Sequence, residues 1–323
     1  MNTESNCRHV APNDNQFTAR MRFHQSWYRY CVLQLPPGSN PVARGETYGN
    51  MLRSEDGISG RNFLTSDIHK LAEKRMGDKV GTVERERLRR NMLSSQPMCF
   101  NLFGPAASNS LFATQLFNKL PGLPSDIQVK RITFEFAPDR MTHLNDKTVF
   151  DAFVDYIRPG GLRGFIGIET KLTEPFSQAR YDFAPRYSQW QETPGWWWKH
   201  ESETSFSDRR FNQIWRNHLL TFAHMHQKDS AYVEGYCAVV YHEADIACRK
   251  ALREYRNHLR EEALATLVDW PLGEFVERWA KQKMSPVHRE WIDAFRLRYL
   301  TLEASQQAWD EYRRKSPASR QRL

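Results

Sequence analysis

Hydrophobic and polar positions alternate most clearly in the middle of the chain. In residues 129–137 (VKRITFEFA), Ile132, Phe134 and Phe136 share one face at a period of two, which predicts a strand. Residues 149–157 (VFDAFVDYI) alternate again. After the turn Arg158-Pro159-Gly160-Gly161, residues 164–174 (GFIGIETKLTE) predict a third strand. Phe211, Trp215, Leu219 and Phe222 recur at helical spacing and predict a helix over 208–226, followed by a fourth strand over 232–241 (YVEGYCAVVY). Upstream, residues 22–35 look aromatic and extended up to Pro36-Pro37-Gly38. Helices are predicted over 66–76, over 83–93 continuing through Pro97 to Phe103, and over 110–120. Downstream, helices are predicted over 243–267, 272–281 and 286–312.

This order, a helix, three strands able to form an antiparallel meander, a helix and a further strand, predicts an α/β fold with helical additions at both ends. The expected organisation is a disordered N-terminus over 1–20 and an N-terminal segment with the first core helices over 21–120. A core over 121–243, a helical region over 244–312 and a basic tail over 313–323 follow. With 323 residues, 40% of them hydrophobic, the chain can bury a substantial core. It has no run approaching the roughly 20 apolar residues of a membrane helix, and its start lacks an apolar signal core. A cytoplasmic protein with no membrane partner is expected. The five cysteines are scattered and odd in number, which argues against a disulfide framework and against a zinc ribbon.

Net charge is +8, carried by arginines such as Arg85, Arg87, Arg89 and Arg90 and by the C-terminal tail. Guanidinium groups suit phosphate oxygens, so the balance favours polyanionic partners, with a solvated basic surface as an equal alternative; charge alone does not identify a nucleic-acid enzyme.

Candidate chemistry concentrates on one hairpin. Glu169-Thr170-Lys171 is the chain's one acid-x-lysine triplet. Such a triplet arises readily by chance, so its setting has to carry it. A period of two puts Glu169 and Lys171 on the face opposite Ile166, Ile168 and Leu172. A turn centred on Gly160 places Asp151 opposite Glu169, on the same face. Paired carboxylates repel unless a cation joins them, and hard oxygen ligands suit Mg²⁺ or Mn²⁺. An adjacent lysine can orient a water and offset charge on phosphorus. The competing reading is an ordinary ion pair. Glu135, on the polar face of the first strand, is a candidate accessory residue or a simple edge charge. His218, His224 and His226 lack the spacing of a helical zinc motif and are expected in the core or on the surface. Trp196, Trp197 and Trp198, with Arg180, Arg186, Lys199 and His200 nearby, suit base stacking, but a packed lid or protomer contact is favoured.

The arrangement D…E-x-K on this order of elements resembles the PD-(D/E)XK nuclease superfamily. RNMLSSQPMCFNLFGP (90–105), FEFAPD (134–139), FDAFVDY (150–156), GFIGIETKLTEPF (164–176) and QIWRNHLL (213–220) are similar to a bacterial group within it. The resemblance implies a restriction-endonuclease-like core and metal-dependent phosphodiester hydrolysis, in DNA, with a defence or DNA-processing role by analogy. It gives Asp151 and Glu169 to the metal, adds the Thr170 main-chain carbonyl as a ligand, and makes Lys171 the partner of the attacking water. Gln213 matches a glutamine that some relatives place near the site. The glutamate many members carry on the first core helix is replaced here by Ser95, Gln96 and Asn101, which puts a second metal in doubt. A ribonuclease, a catalytically inactive DNA-binding protein and an effector needing a partner remain open, as do a homodimer and an accessory protein.

Overall fold

The computed structural model describes residues 7–40, 45–78, 83–176, 185–207 and 209–315. The first six residues, Arg180 and the tail beyond 315 lie outside these, and so does the Arg186 side chain. The main helices are α1 (Gln16–Trp27), α2 (Ser66–Gly77), α3 (Arg85–Arg90), α4 (Ser95–Ala107) and α5 (Ser110–Phe117). They continue with α6 (Asn212–His226), α7 (Ile246–Arg256), α8 (Leu272–Ala280), α9 (Pro286–Tyr299) and α10 (Gln306–Lys315). Five strands matter here: β1 (Gln128–Phe136), β2 (Phe150–Arg158), β3 (Leu162–Lys171), β4 (Glu234–Tyr241) and β5 (Leu267–Pro271). Two units are formed. One comprises Met1–Lys70, Glu84–Asn101 and Met284–Leu323, the other Leu71–Val83 and Leu102–Lys283. The core expected over 121–243 lies within the second unit, whereas the helical region expected over 244–312 is divided between the two.

The second unit is built on a sheet of order β1-β2-β3-β4-β5. The first three strands pair antiparallel, as the alternation predicts, while β3–β4 and β4–β5 are parallel. Helix α6 connects β3 to β4 and packs on both. Strand β5 corrects the sequence reading, which continued a helix as far as 267. Its residues Leu267, Val268 and Trp270 are buried, and so short an apolar run has no periodicity to separate strand from helix.

The β2–β3 hairpin turns through Pro159–Gly161, where Gly160 and Gly161 adopt φ of 81° and 78°. A side chain is strained in that left-handed region, so glycine suits both positions. Pairs run from Arg158↔Leu162 to Ala152↔Ile168, symmetrically about Gly160. Phe150, Ala152, Phe153, Val154 and Tyr156 are all buried, so β2 is covered on both faces. Gly167 in β3 admits the Phe150 ring so closely that a Cβ there would lie 2.3 Å from it. Gly167→Ala is therefore expected to cost about 1–3 kcal/mol by overpacking, read as a lower denaturant midpoint at unchanged slope. An unchanged midpoint would contradict this packing.

The core of this unit is unusually aromatic. Trp196, Trp197 and Trp198 are buried and pack against Phe222, with ring centroids 5.4, 5.1 and 5.9 Å away. Trp198 Nε1 donates to the Tyr255 hydroxyl at 2.7 Å. The tryptophan run is core packing, and its buried rings are closed to base stacking.

In the first unit α1 starts at Gln16, with Asn15 Oδ1 accepting from the Thr18 N–H at 2.8 Å, a conventional N-cap. This corrects the expectation of disorder over the described residues 7–20. It also corrects the extended reading of 22–35, since α1 runs on as a π-helical turn, Tyr28–Val32. Polar His24, Gln25, Ser26 and Arg29 are buried beside Met21, Phe23 and Tyr28, which erases the apolar stripe a sequence pattern relies on. The helix predicted over 286–312 is two helices, separated by a 3₁₀ turn at Leu302–Ser305. Among the described residues no helix is long and apolar enough to cross a membrane.

Candidate active site

Strand register brings three acidic residues to one level of the sheet. The pairs Phe134↔Ala152 and Phe136↔Phe150 flank Glu135 and Asp151, setting them opposite one another. One step beyond Ala152↔Ile168, the same register sets Asp151 opposite Glu169. Glu135, Asp151 and Glu169 thus lie abreast on β1, β2 and β3. Glu135 is buried and has φ of 49°, an uncommon conformation for a non-glycine residue within a strand. Arg75 of α2 holds that backbone, donating from Nε to the Phe134 carbonyl and from Nη2 to the Glu135 carbonyl, both at 2.7 Å.

Asp151 is partly buried, and its Oδ2 accepts from the Thr170 N–H at 2.7 Å and the Thr170 hydroxyl at 2.8 Å. Burial, then the charges of Glu169 and Glu135, push its carboxyl well above the usual carboxylate range; the Thr170 N–H and Lys171 oppose this. Glu169 and Lys171 are each only 6% exposed, so they do not form an ordinary surface pair. Lys171 Nζ lies 2.8 Å from Glu169 Oε1 and donates to Gln213 Oε1 at 3.1 Å. Gln213 Nε2 donates to Glu169 Oε1 at 2.7 Å, closing a three-membered network. Asn217 Nδ2 donates to Glu169 Oε2 at 2.7 Å. Burial works to lower the Lys171 pKa, but Glu169, Asp151 and Glu174 outweigh it and hold the amine above its ordinary value. The Phe176 ring lies 5.2 Å from Nζ.

The structure therefore gathers Asp151, Glu169, Thr170, Lys171, Glu135 and Gln213 at one end of the sheet. Asn217 escaped the sequence reading. It stands four residues after Gln213 on α6, the spacing that puts two side chains on one helix face, and that relation was the available signal.

The arginine cluster is not one surface. Arg85 is exposed, while Arg87 Nε donates to Ser94 Oγ at 2.6 Å. Arg90 corrects the expectation of a phosphate contact, because its guanidinium is buried and bonded through all three of its nitrogens. It pairs with Glu86 at 2.6 Å and donates to the carbonyls of Leu52 and Ser39 at 2.9 and 3.0 Å.

The histidines serve packing. His218 is buried between the Tyr255 and Thr266 hydroxyls, at 3.2 and 2.8 Å, and His224 meets His143 at 2.9 Å. Among the described residues no three His, Cys, Asp or Glu side chains are drawn together tightly enough to hold a metal ion by themselves. Any cation here would rest on two carboxylates completed by main-chain and water oxygens, a donor set that suits Mg²⁺.

A family model described as the PD-(D/E)XK nuclease superfamily, whose members generally hydrolyse phosphodiester bonds, matches residues 12–301. No curated protein and no solved structure matches the chain. A mixed sheet with many helices is consistent with the restriction-endonuclease-like fold of that superfamily. The chain belongs to the PD-(D/E)XK nuclease superfamily.

Proposed function

We propose that this protein is a metal-dependent endonuclease acting on DNA, with Asp151, Glu169 and Lys171 as its catalytic residues. The observation that carries the reading is the set of buried charges at the end of the hairpin, where acids stand abreast with one lysine among them. Asp151 and Glu169 share the single lysine Lys171, and a divalent cation would offset the remaining negative charge of the two carboxylates. The oxygens suit that role. Asp151 Oδ1 accepts no hydrogen bond among the described residues, and Glu169 Oε2 accepts only from Asn217. With the Thr170 carbonyl they would hold Mg²⁺ or Mn²⁺. When bound, the ion would supply Lewis-acid polarisation of the phosphodiester and a more acidic attacking water.

The chain's own residues do the rest. Thr170 fixes one Asp151 oxygen and leaves the other toward the site. Gln213 and Asn217 fix both Glu169 oxygens, so the carboxylate does not swing as charge changes. Lys171 has one N–H beyond its bonds to Glu169 and Gln213, and this donates to the attacking water and then to the oxygen gaining charge on phosphorus. Arg85, Arg87 and Arg89 are the candidate phosphate contacts, and the +8 net charge favours a polyanionic substrate.

Supercoiled plasmid and structured RNA, each incubated with Mg²⁺ and with chelator, test the reading. Metal-dependent plasmid nicking or linearisation is expected. Cleavage confined to RNA would overturn the substrate, and no cleavage of either would leave only a binding protein on this fold. Gln213→Ala and Asn217→Ala are each expected to weaken cleavage or metal affinity by about 10–100-fold. Unaltered kinetics in both would remove their positioning role. Binding to DNA without metal is expected to fall steeply with salt, because phosphate contacts release counterions. An affinity unchanged between low and moderate salt would contradict the phosphate contacts.

A further inference from the structure

The first unit contains a cavity of about 340 Å³, whose walls include Tyr28, Ser59, Arg61, Phe63, His69 and Arg298. None of these residues belongs to the Asp151, Glu169 and Lys171 group. Among the described residues the walls carry two arginines and no aspartate or glutamate. Arg298 is 1% exposed, yet it meets only neutral groups. Its Nε donates to Gln25 Oε1 at 3.2 Å, Nη1 to the Asn62 carbonyl at 2.7 Å, and Nη2 to Asn62 Oδ1 at 2.5 Å. The rings of Tyr28 and Tyr299 lie 5.6 and 4.9 Å from its Cζ. No carboxylate of the described residues pairs with it, and two of its five N–H groups stay outside these bonds. Burying a cation without an anion is costly, and its position in a cavity wall gives an anion the means to relieve that cost.

The other walls suit a phosphate on a flat, nucleotide-sized group. Arg61 is exposed and donates to the Leu33 carbonyl at 3.2 Å through Nη2 alone, so its remaining donors can meet a ligand. Helix α2 opens at the cavity, with Thr65 Oγ1 accepting from the Ile68 N–H at 3.2 Å and Ser66 in the lining. That places the positive end of a twelve-residue helix beside the two guanidiniums. Phe63 and His69 stack at 5.4 Å and 21°, and with Tyr28 they provide aromatic surface. The volume falls in the range of small-molecule sites.

We infer that this cavity is a second, non-catalytic site that binds a nucleotide-sized phosphomonoester, with its phosphate on Arg298 and Arg61. Calorimetric titration of the whole chain in chelator, with AMP and with inorganic phosphate as probes, tests this. Saturable AMP binding that tightens at low salt is expected, with phosphate binding more weakly because it does not reach the aromatic walls. The exposed Arg61 tolerates substitution without risk to folding, so Arg61→Glu is expected to weaken AMP by at least about tenfold, ~1.4 kcal/mol. Glu169→Ala is expected to leave AMP binding unchanged, which separates this cavity from the nuclease centre. No AMP binding at roughly millimolar concentration, equal affinity for AMP and phosphate, unaltered affinity in Arg61→Glu, or loss of binding in Glu169→Ala would each overturn the assignment.

Discussion

Lys171→Met is expected to lower plasmid cleavage by about 10²–10³-fold while metal binding persists, whereas Glu169→Ala is expected to abolish both. The two residues touch one another at 2.8 Å, so a contact map alone does not separate their roles. Glu169 offers oxygens that ligate a cation, and its loss leaves Asp151 alone on that side. Lys171 offers only N–H donors, which act on the water and on developing negative charge. Burial changes what the variants do to stability. A surface pair would be worth about 0–1 kcal/mol, but this pair is only 6% exposed on either side. Removing the lysine leaves a buried carboxylate supported by Gln213 and Asn217 alone, at a cost of about 3–5 kcal/mol. The melting temperature of Lys171→Met is therefore expected to fall in chelator and to recover in part with Mn²⁺. Calorimetric metal titration with melting curves checks both. Full cleavage by Lys171→Met would sink the role given to the lysine.

Acid is expected to destabilise the fold through His218, with an effect large enough to see in denaturant titrations. Burial, with the charge of Arg256 adding, pushes His218 down to about 3. In the unfolded chain a histidine titrates near 6.5, so unfolding takes up a proton between these values. The stability of neutral His218 is complete above the unfolded pKa and is lost as pH falls toward the folded one. Lowering pH from 7 to 5 should cost about 2 kcal/mol from this residue, reaching about 4 kcal/mol near pH 3. Burial and His143 push His224 down to about 4, which acts in the same direction. His218→Gln loses bonds to Tyr255 and Thr266, so its absolute stability is not the readout. The slope of stability against pH between 7 and 5 is, and it should become shallower. An identical slope in His218→Gln would show that this histidine is not held neutral.

The hairpin was legible because three local rules agree there. Alternation fixes which residues share a face, the glycine turn fixes the centre of symmetry, and antiparallel pairing then carries Asp151 to Glu169. The row of acids was half legible. Glu135 has the right face, but its level depends on the pairing of β1 with β2, which shifts register between Val129 and Arg131. Helix α1 and the turn after it were misread because their buried face contains His24, Gln25 and Arg29, which look like surface residues until their partners are known. Strand β5 was missed because five residues, Leu267–Pro271, are too few to show a period. The arginine cluster gave a charge count but not a surface, since Arg90 is turned inward to Glu86 and two carbonyls.

The carboxylates of Asp151 and Glu169 are expected to form a cation site whose occupancy permits phosphodiester cleavage. Calorimetric titration of Mn²⁺ into the wild type and Asp151→Asn, with plasmid cleavage measured on the same samples, decides whether they do. Asp151→Asn keeps an oxygen to accept from Thr170 but removes the charge, so the fold should persist while ion binding and cleavage fall together. Wild-type cleavage that continues undiminished in chelator, or an Asp151→Asn protein that cleaves as the wild type does, would rule out a cation site on these two carboxylates.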